Sequence, residues 1–296
     1  MKEKGFNRSA YMAVITGITV CSVFLGSLIH LGGLLWRIPG LSALRPGPDG
    51  EGTVSGVETL ESFGAARIEL DAGTLTIVRG TEYSMEFDGY PSGKTPQCEF
   101  KGDTLVITQK MGRGFNLKSM GNLNCSVTLT IPEEITPDMD IKLAMGSADI
   151  SDLAFGKMTL DLDMGSCVVS DCSMSGCTVD ADMGSCTFTD CSMFGCDMDA
   201  DMGEITLKNC SFTDGTFDAD MGNIKLIDAG FASADCNADM GNVEVSGSFT
   251  DLKAECSMGS VKVTTDAGSE NASMDLKTDM GKVTVNGENR GSEYKK

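Results

Sequence analysis

The sequence predicts an all-β fold, a single-chain β-solenoid (β-helix), on three observations. First, one phrase returns: LDLDMGSCVV from Leu160, VDADMGSCTF from Val179, MDADMGEITL from Met198 and FDADMGNIKL from Phe217. Second, its Met-Gly pair keeps a regular interval. It falls at Met145, Met164, Met183, Met202, Met221, Met240, Met258 and Met280, spaced 19 residues five times, then 18, then 22. Third, apolar and polar residues alternate within each repeat. The alternation is broken by corners at Met-Gly-Ser/Asn, at Ser-Asp-like pairs and at Ser-Gly. Each 19-residue unit therefore reads as one coil, with equivalent residues stacked ~4.8 Å apart like neighbouring strands. A stack of antiparallel hairpins is the structural rival.

Residues 1–10 form a short head carrying Lys2, Lys4 and Arg8. Tyr11 to Trp36 follows, 26 residues without a formal charge, long enough to cross a hydrocarbon layer of ~30 Å. A cleaved signal peptide would have an apolar stretch of only ~7–15 residues and an A-x-A-like exit, whereas LSAL at Leu41 to Leu44 is a poor cleavage site. The segment is read as an uncleaved single-pass transmembrane helix. The basic head stays cytoplasmic and the C-terminal domain is extracytoplasmic, although Arg37 and Arg45 follow the span. Residues 37–56 are a Gly/Pro-rich linker. The remaining divisions are an N-terminal β region at 57–141, regular repeats at 142–287 and a polar tail at 288–296. ARIELDAGTLTIVRG, GDTLVITQK and SVTLTIP read as strands of the β region, and LDAGTLTI from Leu70 and KSMGNLN from Lys118 are degenerate relatives of the repeat.

Composition limits function. The formal net charge of −20 argues against nucleic acid, which attracts Lys and Arg clusters, and favours cationic partners or metal ions. His30, the only histidine, lies in the anchor. The external domain therefore lacks Ser-His-Asp, Cys-His and His-ligated zinc chemistry. SGKT at Ser92 to Thr95 is no phosphate loop, because Asp88 stands where the first glycine is required. A polysaccharide lyase or hydrolase is the enzymatic rival, since carboxylate pairs can do acid–base work. Against it, identical carboxylates recur along the stack, whereas a catalytic site is one asymmetric constellation. Aromatic platforms are also scarce, with Tyr83, Tyr90 and Tyr294 the external tyrosines and Trp36 inside the anchor. No catalytic or cofactor-binding residue is assigned.

Reading each unit from its Met assigns the inside of the coil. Inward positions are Ile205 and Leu207, Cys210 and Phe212, Phe217 and Ala219, and their equivalents. The Met column itself is expected to point inward as core filler, with soft-metal binding as the second reading. Two aspartates between inward residues must then point out and form two columns. One is Asp161, Asp180, Asp199 and Asp218, continued by Asn237 and Glu255; the other is Asp163, Asp182, Asp201, Asp220 and Asp239. Like charges at ~4.8 Å repel by ~1 kcal/mol even in water, and sheets normally avoid facing like charges. A plain reading is a solvated acidic face. A sharper one is low-affinity Ca²⁺ or Mg²⁺ binding at these nine aspartates, because Ca²⁺ takes carboxylate oxygens at ~2.3–2.6 Å. Ca²⁺ is the one cofactor the pattern points to. Of 12 cysteines, Cys167 and Cys186, Cys172, Cys191 and Cys210, Cys177 and Cys196, and Cys236 occupy core positions. Buried thiols are preferred over vertical disulfides, whose Cβ atoms would have to approach to ~3.8 Å, and over a metal-thiolate site, whose zinc-ribbon form needs C-x₂-C pairs in place of the C-x₄-C-x₄-C spacing found.

The succession ARIELDAGTLTIVRG, GDTLVITQK, SVTLTIPEEI and then MGSADI, MGNIKL and MGNVEV resembles the bacterial putative-adhesin family over roughly residues 57–287. That resemblance implies envelope-tethered β-solenoid domains of undetermined function, and it carries no catalytic residues. The Cys and Asp content departs from it. The expectation is an adhesin-like binding or structural module of the bacterial cell envelope, partnered by the membrane and by an envelope protein or polymer. An accessory of envelope-stress regulation acting through a membrane partner is the alternative.

Overall fold

The computed structural model describes residues 53–112, 124–133, 135–266 and 271–296. The span Tyr11 to Trp36, the basic head, most of the linker and Lys118 to Leu123 of KSMGNLN lie outside them. Among the described residues no helix is long and apolar enough to cross a membrane.

The repeats form a parallel stack. Alternation of apolar and polar residues makes long strands that bend at the corners: β1 (Thr53–Thr59), β2 (Ala65–Leu70), β3 (Gly73–Gly80), β4 (Ser84–Pro91), β5 (Gln97–Lys101), β6 (Thr104–Gln109), β7 (Ser126–Pro132) and β8 (Asp138–Ser151). Then come β9 (Ala154–Ser170), β10 (Ser173–Thr189), β11 (Ser192–Lys208), β12 (Ser211–Met240), β13 (Val243–Thr265), β14 (Ser273–Val285), β15 (Glu288–Gly291) and β16 (Glu293–Lys295). From β8 to β14 every successive pairing is parallel and in the register of the repeat, for example Leu160, Val179, Met198 and Phe217. That excludes the hairpin stack. LDAGTLTI is indeed a coil of the same solenoid, with Leu70 over Leu143 and Ile77 over Ile150. Above it β6 and β7 pair in parallel with β2 and β3.

Both ends are closed by antiparallel strands. At the top β4 pairs β7, β1 pairs β4 and β5 pairs β6; at the bottom β15 and β16 pair β14. Solenoids need such polar caps, because a bare final coil offers its backbone to any passing strand. The top cap corrects the expected linker boundary. Residues 53–56 already belong to β1, whose β-branched Thr and Val favour extended chain.

The interior is aliphatic and thiol-rich, with one aromatic column. Phe212, Phe231 and Phe249 stack on successive coils with ring centroids 4.9 and 5.0 Å apart and planes 3° and 6° off parallel. Two corners differ in mechanism. The Ser-Asp-like corner is left-handed at Asp152, Asp171, Asp190, Asn209 and Asp228, with φ of 59°, 53°, 55°, 54° and 52°, a region that Asn and Asp tolerate better than other side chains. At the Met-Gly corner the constraint is space. A Cβ on Gly184, Gly203 or Gly222 would lie 1.9, 1.5 or 1.7 Å from the carbonyl oxygen of the glycine one coil above. Positive φ holds in this column at Gly146, Gly165 and Gly259.

The same corner overturns the inward Met column. Met183, Met202, Met221, Met240 and Met258 are exposed at 42–45%. Ala219 is the last inward residue before the bend and Ile224 the first after it, so Asp220, Met221, Gly222 and Asn223 round the outside. Strict alternation continued through a bend puts the wrong side chain inside.

Candidate functional site

The Met-Gly corner and the strand leading into it carry both expected aspartate columns. Asp161, Asp180, Asp199 and Asp218 stand in register on β9 to β12. The column continues through Asn237 and Glu255, and the Asn237 side-chain amide donates to Asp218 Oδ1 at 2.9 Å. Asp163, Asp182, Asp201, Asp220 and Asp239 form the second column, between in-register alanine or leucine positions and in-register methionines. All nine are exposed except Asp161 and Asp218, which are half-buried.

Lysines end the first column. Lys142 lies over Asp161 and donates to its Oδ2 at 2.5 Å, and Lys277 lies under Glu255. Neighbouring faces pair their charges between coils, as Lys225 with Glu204 at 2.5 Å, Lys262 with Glu244 at 2.6 Å and Lys253 with Asp235 at 3.2 Å. Between those regions Asp180, Asp182, Asp199, Asp201 and Asp220 have no ion-pair partner among the described residues. Partial burial, then the charges of Asp161, Asp182 and Asp201, push the carboxyl of Asp180 upward. Burial followed by Asp218, Asp180, Asp201 and Asp220 does the same to Asp199. The site is therefore a strip of mutually repelling carboxylates.

Its side chains do not converge. Among the described residues no group of three or more His, Cys, Asp or Glu is arranged around a common metal position. A cation could be shared only by stacked carboxylates, with water completing its shell. Sequence reasoning missed two features. Lys142 sits three residues before Met145, the same offset as Asp161 before Met164, so the terminating lysine was visible in the repeat. The exposed thioethers beside the carboxylates were hidden by the corner.

The cysteines lie elsewhere. All eleven in the described residues are free, and all but Cys98 are buried. Burial pushes the thiols of Cys172, Cys186 and Cys196 up to about 12, so they stay protonated and poorly nucleophilic. Cys125 and Cys256 are further core thiols, beyond the columns read from the repeat.

The fold has solved counterparts. A putative adhesin from Bacteroides fragilis superposes with a TM-score of 0.51 at 12% identity, covering 80% of this chain and 97% of that one. One from Parabacteroides merdae gives 0.54 at 12% identity, over 79% and 95%. A putative lipid binding protein from Parabacteroides distasonis gives 0.51 at 15%, over 80% and 95%. At such identities the likeness is one of fold. No curated protein matches the chain. The Toastrack DUF4097 family model matches residues 66–291, and the chain belongs to that family.

Proposed function

We propose that this chain is an adhesin-like binding module of the bacterial cell envelope, held by the span Tyr11 to Trp36 with its solenoid outside the membrane. Its acidic edge binds cationic groups of an envelope protein or polymer, and divalent cations such as Ca²⁺ bridge stacked aspartates there at low affinity. One observation carries this reading: Asp180, Asp182, Asp199, Asp201 and Asp220 are clustered without a basic partner among the described residues, while other faces of the stack pair their charges. Leaving like charges adjacent costs free energy, and a cationic ligand removes that cost. The solved counterparts described as adhesins and as a lipid binding protein favour a binding role over catalysis.

Two measurements test the proposal. A reporter fused after Lys296 should be active outside the membrane and silent inside; a cytoplasmic C-terminus would overturn the location. Full-length protein in detergent should capture a basic partner from envelope fractions and release it as salt rises. A variant with Asn at Asp180, Asp182, Asp199, Asp201, Asp218 and Asp220 should fail to capture it. Equal capture by that variant would remove the acidic edge from the account.

A further inference from the structure

Met and Gly are the two residues that every one of the eight successive corners retains. The glycine is explained by the carbonyl oxygen one coil above. The methionine is not explained by packing, because its side chain is substantially exposed from Met164 onward, with Met145 half-buried. Inward columns, where shape matters, vary freely: Cys186 is replaced by Ile205 and Ile224, and Ala238 by Cys256 and Thr278. What the corner preserves is a thioether at the surface.

The geometry points to a soft-metal site on this edge: a monovalent copper ion, Cu(I), held between thioethers of successive coils. Met202 stacks on Met221 and Met240 on Met258 in register. With Asp201, Asp220, Asp239 and Ser257 they line a shallow groove of about 540 Å³. Thioether sulfur is a soft donor and selects Cu(I) over the hard cations that carboxylates take. Two metal–sulfur bonds of ~2.3 Å, the zinc–thiolate length, placed end to end span about the ~4.8 Å between strands, so the rise of the stack suits one ion shared by in-register methionines. The neutral thioethers leave the ion's charge uncompensated, and the adjacent aspartates supply the opposite charge within the same groove. A solenoid thus converts one residue per coil into a row of equivalent sites.

The competing ligands are the cysteines, and the test must separate them. Full-length protein in detergent, labelled with ¹³C at the methionine methyl groups, is titrated anaerobically with Cu(I). Resonances of Met202, Met221, Met240 and Met258 should shift, while those of the buried Met158, Met174 and Met193 should not. Replacing Met164, Met183, Met202, Met221, Met240, Met258 and Met280, the exposed methionines of the edge, by Leu keeps their bulk and should weaken Cu(I) binding by ~10-fold or more with the melting temperature preserved. A thioether has no proton to lose, so the affinity assigned to the edge should not change between neutral and mildly alkaline pH, whereas thiol binding releases protons and strengthens. Unshifted exposed-methionine resonances, or pH-independent Cu(I) affinity that survives the Leu replacements, would overturn the site. If the Leu variant fails to fold, the wild-type spectra decide.

Discussion

Substituting Ala at two glycines separates space from backbone conformation. Neither Gly222 nor Gly176 has a left-handed φ, and they differ in what a Cβ would meet: 1.7 Å from the carbonyl oxygen of Gly203 at Gly222, against nothing within 4 Å at Gly176. Gly222→Ala must push two coils apart locally until that contact is tolerable. Doing so stretches the backbone hydrogen bonds flanking the corner, and losing two to four of them at ~1 kcal/mol each costs ~2–4 kcal/mol. For a domain of this size each kcal/mol is ~2–4 °C, so the melting temperature should fall by ~4–16 °C. Gly176→Ala should leave it unchanged or raise it slightly, since Ala restricts the unfolded chain. Circular dichroism melts of both variants make the comparison. Equal melting temperatures would refute the argument that close approach of the coils dictates the Met-Gly corner.

Three further outcomes follow from the interior and the edge. The fold raises the carboxyls of Asp180 and Asp199 above 3.8, so in that window the folded state binds more protons and its stability rises as pH falls. The advantage of an Asp180→Asn, Asp199→Asn variant over wild type should therefore be full at pH 7 and shrink as pH falls towards ~4; an advantage independent of pH would contradict it. Phe231 stands between two stacked rings, and Phe231→Ala should lower stability by ~3–5 kcal/mol in urea denaturation; a loss below ~1 kcal/mol would mean the column is not packed as described. Native protein should take up an alkylating agent at Cys98 first and little elsewhere, while protein denatured without reductant should label at most of its 12 cysteines; few labels after denaturation would reveal disulfides.

The solenoid was legible because one interval repeats. A fixed 19-residue period sets which residues stack, so the Asp columns and the vertical Cys columns could be read without coordinates. Alternation then sorted inside from outside correctly wherever the chain ran straight, as at Ile224, Leu226, Phe217 and Ala219. It failed at Met221 because a bend places consecutive residues on the same convex side. The reason for Gly222 was also out of reach of local reasoning, since its clash is with Gly203, a different coil. The cap was partly hidden for a related cause: β1 closes the stack through antiparallel pairing with β4, a long-range contact that a Gly/Pro-rich context obscures. The acidic edge was readable as a pattern, but its isolation from cations depends on where Lys142, Lys225 and Lys253 reach.

The claim that the aspartate columns are a cation-binding edge is tested most directly by melting the protein in Ca²⁺ against NaCl of equal ionic strength. An ion that binds the folded stack and not the unfolded chain stabilises it by about 1.4 kcal/mol per site at tenfold its dissociation constant, or ~3–6 °C, whereas NaCl only screens. Wild type should therefore gain several degrees from millimolar Ca²⁺ beyond the NaCl control. The variant with Asn at Asp180, Asp182, Asp199, Asp201, Asp218 and Asp220 should melt higher than wild type without Ca²⁺ and gain little when it is added. A wild-type response to Ca²⁺ no larger than to matched NaCl would contradict the account and leave the columns a solvated acidic face.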